Sequence, residues 1–240
     1  MKTSSDVLNS AAASTRARQA GLEHYEVLSQ VAKALASPVR LRILDLLRQG
    51  PRHVESIAEA TGESVANSSQ HLQQMRAARL VAAGRRGHRV EYRLAGEAVS
   101  SLFGRLRALA ERFHPEMDRL RRELGGLDDA EREALLGRIR RREVTLLDVR
   151  PAPEYQAAHL PGALSIPLPE LARRIAEIPS GREVVAHCRG PYCSMAVEAV
   201  GVLTLAGIPA RHLDLGVPDL RGRLRAQTAA PAGRNGRKPR

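Results

Sequence analysis

Between residues 25 and 36 apolar positions recur every three or four residues, the spacing of one helix face. Ser37-Pro38 then offers an N-cap followed by a proline at the first helical position. Leu41, Ile43, Leu44, Leu46 and Leu47 predict a second helix, which Gly50-Pro51 ends. A short helix is predicted over 54–60, with Val54, Ile57 and Ala58 inward. After the tight turn Thr61-Gly62-Glu63-Ser64, a longer helix is predicted over 65–78, with Ala66, Leu72 and Met75 on its buried side.

The period then changes. Residues 81–83 read as a strand, Gly84-Arg85-Arg86-Gly87 as a hairpin turn, and 88–94 as a second strand with Val90, Tyr92 and Leu94 on one face. Two helices joined by a tight turn and followed by a basic hairpin describe a winged helix-turn-helix. Residues 97–125 predict a long amphipathic helix striped by Val99, Leu102, Leu106, Leu109, Phe113, Met117, Leu120 and Leu124. Pro115 is expected to kink or split it. So narrow a seam suits a partner helix, which predicts a homodimer through helix 97–125; packing on its own domain is the alternative.

Gly125-Gly126 marks a boundary, and Asp128-Asp129 opens a helix reaching residue 139. Beyond it strands at 144–149, 183–187 and 210–215 alternate with helices at 169–178 and 194–206, the pattern of a parallel sheet flanked by helices. The expected plan is a disordered lead over 1–20, an α+β winged helix-turn-helix domain over 21–126, an α/β domain over 127–225 and a disordered basic tail over 226–240.

Composition sharpens this picture in three ways. Aromatic residues make up only 2% of the chain, so the cores rest on Leu, Val, Ile and Ala. No apolar stretch is long enough to span a membrane and the first twenty residues lack a signal-peptide core, which predicts a cytoplasmic protein with no membrane partner. The net charge of +12 is mostly terminal: residues 221–240 hold seven Lys or Arg and no acid, and residues 21–220 carry only +3. A local concentration is more telling, since residues 71–93 hold six Arg against one Glu.

The predicted second helix of the helix-turn-helix exposes Asn67, Ser69, Gln70, His71, Gln74 and Arg76. Asn and Gln can bind adenine edges bidentately, while the hairpin residues Arg85, Arg86, His88 and Arg89 suit phosphates or the minor groove. A solvated polar helix with a basic loop, or a protein-interaction module, are the plainer alternatives. On "ALASPVRLRILDLL", "SIAEATGESVANSSQHLQQMRAARLV" and the Gly-bounded wing, residues 36–94 resemble the ArsR family of winged-helix repressors. That resemblance implies a homodimer on double-stranded DNA carrying a palindromic operator, released by an inducer. The family's metal-sensing cysteine motif is missing at His53–Ala58, and His114, Glu116 and Asp118 do not reproduce its other ligand spacing, so no metal site is assigned.

Both cysteines of the chain fall in one segment, His187-Cys188-Arg189-Gly190-Pro191-Tyr192-Cys193-Ser194, between a predicted strand and helix. Loop N–H groups and a helix start converge there, favour an anion and lower a thiol pKa, which Arg189 would assist; a buried, inert cysteine is the plain alternative. With "LLDVRPAPEYQAAHLPGALSIPL" upstream, residues 130–224 resemble rhodanese-like domains. The resemblance implies that Cys188 takes sulfane sulfur from a small-molecule donor as a persulfide, within an active loop of Arg189, Gly190, Tyr192 and Ser194. It gives Asp148, Arg150 and His159 supporting roles and calls for no cofactor. Cys193 stands where an Arg or small polar residue is common, and could resolve a Cys188 persulfide. A phosphatase loop would need Arg where Ser194 stands. The sequence therefore leaves three readings open: a sulfur-responsive DNA-binding regulator, a thiosulfate-type sulfurtransferase tethered to a winged helix, or a regulator sensing a small molecule in its winged domain. An arsenic-related redox role is a weaker fourth.

Overall fold

The computed structural model describes residues 4–220, and of residues 4–15 the backbone alone. The tail expected over 226–240 lies outside the described residues. Helix α1 runs Ser4–Leu35, so residues 4–20, expected as a disordered lead, are helical here. The run Ala11-Ala12-Ala13 and the absence of proline favour the helix, and the polarity read as disorder is compatible with a solvated one.

Helix α2, Pro38–Arg48, starts as expected: the Ser37 hydroxyl accepts from the Arg40 N–H and Pro38 occupies the first turn. Strand β1, Arg52–His53, was not foreseen; two residues are too short to show a period. Helix α3, Val54–Thr61, ends on Gly62 at φ +70°, a left-handed conformation glycine adopts without strain. Helix α4, Val65–Ala77, is capped by Ser64, whose hydroxyl accepts from the Asn67 N–H at 3.1 Å.

Strands β2, Val81–Arg86, and β3, Arg89–Leu94, pair antiparallel, and β1 adds to the other edge of β3. The predicted four-residue turn at Gly84–Gly87 narrows to Gly87-His88, because Arg85 and Arg86 remain paired with Val90 and Arg89. Gly87, at φ +62°, takes the first position of this two-residue loop. Ile43, Leu44, Ile57, Leu72 and Met75 are buried at the centre of this unit. Ala66 is exposed, contrary to the expected inward face; Ser68 takes the buried position instead.

The long amphipathic segment is two helices, α5, Glu97–Phe113, and α6, Pro115–Glu123, broken where Pro115 cannot donate to the preceding turn. The chain divides into two compact units between Phe103 and Gly104. Val99 and Phe103 pack against the first core, whereas Arg107 and Arg121 pair with carboxylates of the second unit.

In the second unit α7, Asp129–Arg140, opens with a capping box in which Asp128 and Glu131 satisfy each other's backbone N–H. Strand β4 is Thr145–Asp148, α8 Ala152–Ala157, β5 Leu164–Ser165, α9 Leu171–Arg174, β6 Val184–His187, α10 Met195–Leu205 and β7 Ala210–Leu213. All four strands are parallel, in the order β5-β4-β6-β7. Neighbouring residues alternate between faces: Leu146, Val185 and Leu213 belong to one apolar cluster, Leu147, Val184 and Ala186 to the other. The helix expected over 169–178 is a short α-helix between 3₁₀ turns at Leu168–Glu170 and Ile175–Glu177. The α+β winged unit and the α/β parallel sheet are thus the architectures the residue pattern predicts.

Candidate functional site

Each unit gathers one set of candidate residues. In the first, α3, the Gly62 turn and α4 form the helix-turn-helix, and α4 presents a polar face. Gln70 and Arg76 are exposed and Ser69 is half-buried. Asn67 and Gln74 are engaged within the fold. The Asn67 amide donates to Glu63 Oε2 at 2.5 Å, and the Gln74 carbonyl accepts from Arg40 Nη1 at 2.8 Å. Arg40 also donates to the Lys33 and Ala34 carbonyls, so Gln74 helps tie α4 to the end of α1. His71 is half-buried, with Nδ1 shut off from solvent. Sequence reasoning missed Gln73, which is exposed; its spacing of three from Gln70 was the available signal.

Arg85, Arg86, His88 and Arg89 are all exposed on the hairpin. Arg86 pairs with Glu91 at 3.4 Å, but its side chain is 79% exposed, so the pair contributes little. The hairpin therefore carries a solvated cluster of cations beside a helix bearing exposed amides, the combination that contacts phosphates and base edges.

In the second unit β6 delivers His187 and Cys188 to the carboxyl end of the parallel sheet, and α10 starts just past Cys193 and Ser194. Gly190 holds φ +144° and its carbonyl accepts from the Cys193 N–H, folding the loop back on itself. Cys193 packs against the apolar cluster that holds Cys188. The Cys188 S–H also faces the Cys193 carbonyl oxygen at 3.4 Å. N–H groups of Gly190 and Ala196 point at the Cys188 sulfur, and those of Arg189 and Met195 at the Cys193 sulfur. Loop amides and a helix start do surround sulfur here.

The expected lowering of the Cys188 pKa is not what the loop produces. The neighbouring Cys193 thiol, then burial, push the Cys188 thiol up, whereas the Cys188 thiol beside it brings Cys193 down to about 7. Arg189, expected to supply charge, turns its guanidinium to Glu154, 2.6 Å away and only 3% exposed. It is the least of the influences lowering Cys193. The sequence gives Glu154 no role, because a partner 35 positions away leaves no local trace.

Asp148 and Arg150 are fully buried and paired at 2.6 Å, and Arg150 also donates to the Ala158 carbonyl. They brace the end of β4. His159 is exposed, stacked on Tyr155 with ring centroids 4.0 Å apart and bonded to the Tyr155 carbonyl. The Ser194 hydroxyl donates to Glu198 at 2.6 Å. Tyr192 donates to Glu111 on α5 at 3.1 Å, linking the loop to the helix that leaves the winged unit. Among the described residues no three His, Cys, Asp or Glu side chains are gathered as metal ligands.

Comparison with known proteins divides the chain along the same lines. Residues 37–83 match the family described as bacterial regulatory protein, arsR family, and residues 131–221 match the rhodanese-like domain. The chain is similar to the HTH-type transcriptional regulator Rv0324 of Mycobacterium tuberculosis, with 45% identity over 209 residues, 86% of this chain and 92% of the relative. It is similar to the HTH-type transcriptional regulator KmtR of the same species, with 36% identity over 98 residues, 41% of this chain and 75% of KmtR. A solution structure from Mycobacterium bovis, described as a homodimeric winged helix-turn-helix DNA-binding domain, is 44% identical, covers 40% of this chain and 88% of its own, and superposes with a TM-score of 0.38.

Proposed function

Since the chain belongs to the ArsR-family HTH-type transcriptional regulators and carries a rhodanese-like domain, we propose that it controls its operator in response to sulfane sulfur captured as a persulfide in the Cys188 loop and resolved by the second thiol. The chain is a DNA-binding regulator; the sulfur step is the proposed addition. The observation that carries it is a pair of cysteines in one amide-lined loop, the Cys188 thiol facing the Cys193 carbonyl at 3.4 Å, whose own Tyr192 reaches α5. A vicinal dithiol that passes from thiol to persulfide to disulfide has discrete states, as a switch requires.

The DNA-binding form is a two-fold dimer on a palindromic operator, acting in the cytoplasm where the genome lies. No residue of α5 or α6 is buried, although Leu102, Leu106, Leu109 and Phe113 follow one another at spacings of four, three and four. Such a seam left open to solvent suits a second copy of the chain. Among the described residues no helix is long and apolar enough to cross a membrane.

Turnover of thiosulfate, a dianion, is disfavoured because Arg189 is neutralised by Glu154. The test is operator affinity with and without inorganic polysulfide, for the wild type and for Cys188→Ser. The wild type is expected to lose affinity and the variant to hold it; unchanged affinity in both removes the sensor reading.

A further inference from the structure

The rhodanese pattern gives the first attack to Cys188, but the two thiols are not equivalent. Cys188 is 1% exposed and belongs to the apolar cluster with Val149, Ala186 and Ala199. Cys193 borders that cluster and is partly open to solvent. A donor arriving from water therefore meets Cys193 first. The Cys188 S–H faces the Cys193 carbonyl oxygen at 3.4 Å, a contact that holds its proton and leaves Cys193 the thiol able to carry charge. The Arg189 and Met195 N–H groups and the start of α10 add to that preference at Cys193.

We propose that Cys193 is the loop's nucleophile and makes the first attack on the sulfur donor, with Cys188 the resolving thiol; the sulfur part of this rests on the function proposed above. For hydrogen disulfide as donor, the Cys193 thiolate forms a bond to one donor sulfur. The donor's S–S bond breaks and its electron pair leaves as hydrosulfide, so Cys193 carries –S–SH. Cys188 then attacks the Cys193 Sγ. The Cys188–Cys193 disulfide forms, the bond to the outer sulfur breaks, and that sulfur leaves as H₂S with its own proton and the one from Cys188. Two thiols are oxidised to a disulfide, and the two donor sulfurs are reduced to sulfide.

The order of attack explains why a cysteine stands at this loop position. Without Cys193 the buried Cys188 has no solvent-facing partner thiol. It also gives the loop a working range, since a thiol with a pKa of about 7 is substantially ionised at neutral pH.

The test uses the full chain. Wild type is alkylated with limiting iodoacetamide across a pH series, and separately exposed to sodium polysulfide, with the modified cysteine located by mass spectrometry. Alkylation is expected at Cys193 first, and Cys188→Ser is expected to trap a persulfide on Cys193. Cys193→Ser is expected to take up sulfur at least about tenfold more slowly, the loss that follows from replacing a thiolate near its pKa with one rarely ionised. Alkylation or persulfide appearing first on Cys188, at an undiminished rate in Cys193→Ser, overturns the assignment. If neither thiol gains sulfur while Cys193 is still alkylated first, the sulfur reading falls and the nucleophile assignment stands. The wild-type alkylation needs no variant, so misfolding of a substituted chain does not decide the outcome.

Discussion

Gly216 lies against the Arg189 carbonyl so closely that a Cβ on residue 216 would come within 2.1 Å of that oxygen. The clash is with backbone, so the loop itself would have to move. The Gly216 N–H meanwhile faces Asp219 Oδ2 at 3.3 Å, which keeps the segment after β7 beneath the cysteine loop. Gly216→Ala is expected to cost about 1–3 kcal/mol through overpacking. More tellingly, it should change the alkylation kinetics of the loop, because the Gly190 N–H, which shares a peptide plane with the Arg189 carbonyl, faces the Cys188 sulfur and moves with it. A variant with wild-type alkylation kinetics would show that the loop is not braced from this side.

Recognition by α4 is expected to divide by side chain. Gln70→Ala and Gln73→Ala should each cost about 1–3 kcal/mol at a particular base pair, read as relaxed preference in operator variants. Asn67→Ala should instead lower stability with little change in base preference, since its amide is committed to Glu63. Arg85→Ala should weaken all sequences alike and reduce the slope of log affinity against log salt by about one. Equal base preference in all four variants would mean that another face of the unit enters the groove.

These assignments also mark where sequence pattern runs out. The helix-turn-helix and the strand–cysteine–helix order are written in local spacing, in caps such as Ser37, Ser64 and Asp128, and in breakers such as Pro115. Strand β5, two residues long, has no period to read. Helix α8 is masked by Pro151 and Pro153 at its start. The engagement of Arg189 by Glu154, and of Gln74 by Arg40, joins residues 35 and 34 positions apart, which no local pattern encodes. Which of the two thiols is shut off from solvent is decided by packing around β6 and α10 rather than by the loop motif.

The apolar seam on α5 predicts its own test. Leu109 and Phe113 are 57% and 65% exposed, far more than side chains of their size need be in a helix that packs on its own core. Leu109→Glu is expected to shift the chain from dimer to monomer in sedimentation equilibrium. Because two half-sites must then be bound separately, operator affinity should fall by at least about tenfold. A wild type that sediments as a monomer at concentrations where it binds its operator would remove the seam as an interface.

His187 gives the second unit a pH dependence. It is fully buried and its pKa is lowered to about 4, chiefly by burial, although Asp148 Oδ2 lies 3.6 Å from Nε2 and opposes the shift. The unfolded chain takes up this proton near pH 6.5, so folding must release it below that value. The stability is fully present above about pH 6.5 and is lost as pH falls toward 4, by about 3 kcal/mol at most. His187→Phe has no such proton and should show a shallower fall in urea midpoint between about pH 7 and pH 5. Equal pH slopes in the two proteins would mean that other groups carry the effect.

Coupling between sulfur chemistry and the helical seam has a specific carrier. Tyr192 sits between Pro191 and Cys193 and donates to Glu111; Glu111 faces Arg107, which binds Asp219 at 2.8 Å. Asp219 in turn accepts from the Gly216 N–H under the loop, so Tyr192, α5 and the segment after β7 form a closed ring of contacts. Drawing Cys193 into a disulfide with Cys188 must reposition the peptide that carries Tyr192, and the ring transmits that movement to α5. Tyr192→Phe keeps the packing and removes only the hydroxyl. It is expected to leave the polysulfide-induced disulfide unchanged in yield while shrinking the resulting loss of operator affinity by about 1 kcal/mol, roughly fivefold. Glu111→Gln, which can still accept from Tyr192, should retain more of the response than Glu111→Ala. An affinity change as large in Tyr192→Phe as in the wild type, at equal disulfide yield, would exclude this ring as the route from the thiols to DNA.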